Sequence, residues 1–193
     1  MSAGLLNELF KVIIKHGCED SIYLRQLHQH FPVSKGQILL WKSIDCGYRS
    51  ESSPIHEIDA ETIYGQSFSA HNGSLVPTEF FSGYINCTLE KAFLTDFMET
   101  LIRLDVVDKL GIEIARDDTR GGMFEFSEGF SSTLVYKDSL ALVFKDSAAL
   151  QELDWVVTSW RVTRDGRVWP VTHCQINDKG KHIKVPGPGK SAM

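Results

Sequence analysis

Seven histidines and four cysteines are the side chains of this 193-residue sequence best suited to proton transfer or metal ligation. The densest group is Thr172-His173-Cys174, followed by His182. A His173, Cys174, His182 set would suit zinc. Adjacent strand residues point to opposite faces, however, and with Lys179-Gly180 as a turn His182 lies ~13 Å from His173 at strand rise. A shared ion would need a bulge or a third segment. No metal is expected.

The other chemistry open to His173 is acid/base. Placed on one face with Trp160, Trp169 and Val171, a neutral imidazole could take or give a proton inside an aromatic pocket. The competing reading is a sheet histidine bonded to a backbone carbonyl. His71 stands beside the turn His71-Asn-Gly-Ser74, and turns present side chains to ligands. Glu125, in Met123-Phe-Glu-Phe126, faces outward if the phenylalanines face the core, and is a buried acid with a raised pKa if the strand is covered on both sides. His56, beside Glu57, resembles His71. His16, His28 and His30 read as surface positions on N-terminal helices. The catalytic candidates are therefore His173, His71 and Glu125, with Trp160, Trp169, Phe97 and Phe126 as pocket walls.

No G-x-S-x-G, P-loop, G-x-G-x-x-G or H-E-x-x-H is present. Serine hydrolases of the usual type, phosphate-loop enzymes and dinucleotide enzymes are disfavoured, and no cofactor is expected.

The element that must position His173 is a ribbon over residues 154–185, rich in β-branched and aromatic residues. Asp165-Gly166 is a strong hairpin signal, because a type I′ turn needs positive φ at both central residues. With that pair as the loop, residues 155–163 and 168–176 pair with Trp160 opposite Val171, Val162 opposite Trp169 and Thr158 opposite His173. A one-residue slip would move His173 to the other face and put Cys174 in its place.

Upstream, residues 3–16 carry apolar residues at helical spacing, with Gly17 as the stop. Leu24, Leu27 and Phe31 suggest a second helix over about 21–30, ended by Pro32. These two helices could begin a helix-turn-helix, but Arg25, Lys35 and Lys42 are thin for a DNA reader, so a helical hairpin covering the sheet is expected. A first strand spans Gly36 to Cys46. Residues 47–54 are polar and read as a loop, the place to look for an active-site lid. Residues 61–85 form a hairpin in which Pro77 marks an edge or a late start. The spacing from Leu89 to Leu110 predicts the longest helix, over about 88–110, with its phenylalanines against the tryptophans. Strands follow at 112–116, 123–126, 130–136 and 140–144, then a short helix at 146–153 and a tail at 186–193. The expected architecture is one α+β domain over 1–185: an antiparallel sheet of roughly six or seven strands packed by the long helix and the N-terminal helical hairpin.

No run approaches the ~18 apolar residues of a membrane helix, and the N-terminus lacks a signal-peptide pattern. With scattered, reduced cysteines, a cytoplasmic or nuclear location and no membrane partner are expected. The net charge of −5 is uneven: +1 over residues 1–45, −11 over 46–160, +5 over 161–193. The acidic body repels phosphates, so nucleic acid is not expected as a partner, although the basic end could touch one. The function these residues point to is small-molecule binding with cofactor-free acid/base chemistry. The rival is a non-catalytic interaction module using the N-terminal helices or the basic C-terminal segment.

Overall fold

The segment after Ser21 has leucines at helical spacing, yet it forms strand β1, Ile22–Gln26. Taken with period two, Ile22 and Leu24 point one way and Tyr23 the other, and both rows are buried. So short a helix would be marginal, whereas two neighbouring strands give β1 backbone partners on both edges. These are β6, Leu110–Ile114, and β9, Val156–Val162.

The computed structural model describes residues 2–28, 31–83, 87–116, 122–128, 130–143 and 154–175. The remaining strands are β2, Gln37–Ile44, β3, Gly47–Pro54, β4, Ile63–His71, and β5, Ser74–Ser82. They continue with β7, Met123–Glu128, β8, Ser131–Tyr136, and β10, Val168–Cys174. All ten close into a barrel in the order β1-β6-β4-β5-β2-β3-β8-β7-β10-β9. The β2–β5 and β7–β10 pairs are parallel.

This mixed barrel overturns the expected α+β fold of six or seven antiparallel strands. Closure is the physical reason, since a ring leaves no edge to protect. Residues 47–54, expected as a loop, become β3 because β2 and β8 pair with its two edges. Its serines are at home there: Ser50 is fully buried and its hydroxyl donates to the Ser132 carbonyl. Pro77 does sit where pairing is incomplete, since β2 joins β5 only from Glu79 onward. Gly111 is required by a close approach: a Cβ there would lie 2.2 Å from the Phe68 carbonyl oxygen of β4.

Helix α1, Ala3–Lys15, agrees with the spacing. Helix α2, Lys91–Arg103, is shorter than the expected 88–110, because Asp105 turns the chain with φ 55° and Leu110 already belongs to β6. The expected strand at 140–144 is instead the short helix α3, Leu140–Val143. Helices α1 and α2 lie outside the barrel. Leu9, Phe10, Ile13, Phe93, Phe97 and Leu101 pack there against Ile22, Leu24, Ile112 and Val162. A second apolar cluster unites Tyr23, Trp41, Tyr48, Phe81, Met123, Leu134 and Val171. The helix expected at 146–153, the tail at 186–193 and His182 lie outside the described residues.

The tryptophan hairpin forms, with a different register. Its loop has three residues, Arg164-Asp165-Gly166: the Gly166 amide donates to the Thr163 carbonyl and the Thr163 amide to that of Arg167. Gly166 alone of the Asp-Gly pair has positive φ, at 81°. That is a type I turn followed by a left-handed residue, and it shifts the pairing by one. Trp160 faces Pro170, Val162 faces Val168, and irregularities beside Val171 and Thr158 complete the strand. Trp169 pairs with Arg161, which places it on the face opposite Trp160. Trp169 is 53% exposed, so it does not share a buried face with Trp160. Trp169→Ala is expected to change unfolding free energy by no more than ~0.5 kcal/mol in a urea titration, as for other exposed positions away from the core.

Candidate functional site

Because the barrel is closed, inward rows that carry polar residues bury charge. Arg25 on β1 is 6% exposed and Glu79 on β5 is 8% exposed. The Arg25 Nη1 and Nη2 atoms donate to Glu79 Oε2 and Oε1, both at 2.8 Å, and Nη1 also donates to the Ser67 hydroxyl of β4. Trp41 Nε1 donates to the same Oε2 at 2.9 Å. Burial opposes the Arg25 charge, but Glu79, with Glu113 and Glu125 behind it, more than offsets that cost and holds the guanidinium above its ordinary pKa. Beyond it, Arg116 lies over the Trp41 and Tyr48 rings, 5.1 and 4.9 Å from their centroids, with Nη2 2.9 Å from Glu113 Oε1.

A third group joins β7, β10 and the end of β1. The Cys174 thiol donates to Glu125 Oε2 at 2.9 Å and lies 3.1 Å from the Thr158 hydroxyl. His28 Nε2 is 3.5 Å from that carboxylate oxygen and 3.7 Å from the sulfur. On the other side of the ring, Nδ1 is 2.9 Å from the Gln26 carbonyl. A carbonyl only accepts, so Nδ1 donates to it, and Nε2 faces Cys174 and Glu125. Burial first, and then Glu125, pushes the Cys174 thiol well above its usual pKa.

Two spaces adjoin these groups. A void of about 10 Å³, room for about one water, is lined by residues that include Arg25, His28, Glu113, Arg116 and Glu125. A cleft of about 270 Å³ has Leu27, Phe31, Val33 and Leu39 as apolar walls, and Arg25, His28, Ser67, Ser69, Thr78 and Glu79 as its polar lining.

The candidates from the sequence stand in separate places. Glu125 is inside, 2% exposed, the covered-strand alternative of the two considered. His173 stacks on Phe124, with ring centroids 5.0 Å apart, and Nδ1 is 3.4 Å from the Met123 carbonyl. Burial, together with Lys137, lowers its pKa. His71 is exposed, at the end of β4 beside the Asn72-Gly73 turn. Of the pocket walls, Phe97 and Trp160 belong to the core under the helices, and Phe126 packs with Val135 and Trp155. Trp169 shares an open cleft with His173, Lys137 and Arg167. His173 and Cys174 face opposite ways, as alternation requires. His28, read as a helix-surface position, and Arg25, weighed only as a basic residue of a DNA reader, are among the residues the sequence reading missed. Strand alternation through Ile22-Tyr-Leu-Arg25 was the available signal.

No family model, no curated protein and no solved structure matches this chain.

Proposed function

We propose that the barrel binds a small, uncharged, amphipathic organic molecule in the cleft beside Arg25 and Glu79. The observation that carries this reading is the two-sided lining of that cleft, apolar at Leu27, Phe31, Val33 and Leu39, and polar at Arg25, Ser67, Ser69 and Glu79. Pockets for small organic ligands have this composition. A buried ion pair is also a poor device for stability alone, since apolar residues of the same volume serve as well or better. Its presence at the floor of a cleft supports a recognition role. Arg25 is already neutralised by a bidentate carboxylate, so a ligand bearing a negative charge would be uncompensated there. That favours a neutral head with donors and acceptors.

The acid/base role expected for His173, His71 and Glu125 as one constellation lacks support: Glu125 lines the buried void, His173 the open cleft by the β9–β10 hairpin, and His71 is exposed at the end of β4. A second reading attaches to Trp169, whose exposure beside Val168, 40% exposed, suits an interaction surface. The four free thiols fit the cytoplasmic or nuclear setting we propose. No helix among the described residues is long and apolar enough to cross a membrane.

The test is a titration with one- and two-ring alcohols and amides, each beside the matching carboxylate. Saturable binding of uncharged members is expected, weakened at least ~10-fold, or about 1.4 kcal/mol, in Ser69→Trp, which fills the cleft. Preference for the carboxylates, or binding indifferent to Ser69→Trp, would contradict the proposal.

A further inference from the structure

We infer that His28, Glu125 and Cys174 form a site for a divalent transition metal of the zinc class, with the adjoining void as the fourth, water-filled position. The three ligand atoms are nitrogen, oxygen and sulfur, a set that zinc accepts, and all lie within 4.8 Å of one another. They arrive from separate parts of the ring: His28 two residues past β1, Glu125 on β7, Cys174 on β10.

The distances fit a tetrahedron. With zinc bonds of ~2.0–2.3 Å, its edges measure about 3.4–3.6 Å. The nitrogen–sulfur and nitrogen–oxygen separations are 3.7 and 3.5 Å. The sulfur–oxygen separation is 2.9 Å because a thiol proton bridges the two. Replacing that proton with an ion opens this edge by about 0.7 Å to reach the tetrahedral value. The balance is simple: the sulfur–hydrogen bond breaks, the sulfur–metal bond forms with the sulfur's electron pair, and the proton leaves to solvent.

The surroundings suit the ion. His28 Nδ1 donates to the Gln26 carbonyl, the outer hydrogen bond that orients metal-bound imidazoles. The Thr158 hydroxyl touches the sulfur. Among the described residues around the site, Arg25 and Arg116 stand against Glu79, Glu113 and Glu125, one negative charge in excess. A dication that displaces one proton brings this group to neutrality, which a low-dielectric interior favours. The void beside His28 and Glu125 has room for about one water, and the larger cleft also reaches His28. The inference is independent of the neutral ligand proposed above, and its readout needs no such ligand.

The test uses the full chain, stripped of metal with a chelator and titrated with Zn²⁺ by calorimetry and with Co²⁺ by absorption. We expect one ion per chain, a thiolate-to-cobalt charge-transfer band and one proton released per ion. Affinity therefore rises with pH, since the bound form lacks the thiol proton. Cys174→Ser and Glu125→Gln should each weaken zinc binding by roughly 100-fold or more, while His173→Ala binds as the parent does. Circular dichroism checks that each variant is folded. If those substitutions unfold the chain, a variant with Cys18, Cys46 and Cys87 replaced by serine assigns the thiolate. Its cobalt band persists if Cys174 is the ligand. Loss of that band, no thiolate band in the folded parent, or zinc affinity unchanged in folded Cys174→Ser would overturn the inference.

Discussion

Arg25→Met is expected to lower unfolding free energy by about 3–5 kcal/mol, as when one partner of a buried ion pair is removed. The substitution leaves the Glu79 carboxylate inside the barrel without its bidentate cation. Neutral donors such as Trp41 Nε1 and the Ser67 hydroxyl do not offset a full charge. Removing the charge from both ends changes the sign of the argument. The double variant Arg25→Met, Glu79→Gln keeps an acceptor for Trp41 and should recover at least half of the loss, a coupling that a double-mutant cycle measures directly. A single-variant loss under ~1 kcal/mol in urea would show that the pair is solvated rather than enclosed.

Phe97→Ala should cost a similar amount, about 3–5 kcal/mol, through transfer and cavity terms instead of charge. Phe97 is fully buried on α2, its ring 5.7 Å from that of Phe93, in the layer between the helices and strands β1, β6 and β9. The layer has few ways to collapse, because the strand side is part of a closed ring. A chemical denaturation curve with an unchanged m-value and a lowered midpoint is the expected result. A loss near zero would mean that α2 does not dock on the barrel.

The parts of this fold legible in the sequence are those set by local chemistry. The α1 spacing, the Asn72-Gly73 turn between β4 and β5, and the hairpin around Asp165-Gly166 all read correctly as elements. The register of the last did not, because Asp-Gly serves equally a two-residue loop and the end of a three-residue one. In the observed register Cys174 meets Glu125 inside the barrel, while His173 stacks on Phe124. Strand β1 was misread because a short apolar run fits both periods. Strand β3 was misread because its buried positions, beside Tyr48, include Ser50 and leave no hydrophobic alternation. Closure itself depends on the pairing of Leu24 with Trp160 and Arg25 with Ser159, far apart in sequence. The same distance hid the site. Arg25 and Glu79 are 54 residues apart and Glu125 and Cys174 are 49 apart. Nothing in a carboxylate's neighbours along the chain says that a guanidinium or thiol will meet it.

Backbone amide chemical-shift mapping distinguishes ligand recognition at the cleft over Arg25 and Glu79 from recognition elsewhere on the barrel. The probe is the tightest-binding uncharged alcohol or amide from the titration, added to saturation. Shifts are expected to concentrate at Leu27, His28, Leu39, Ser67, Ser69 and Thr78, with the Trp169 and Arg167 amides unmoved. Shifts centred instead on Trp169, Arg167 and His173, with the cleft silent, would contradict it and move recognition to the β9–β10 hairpin.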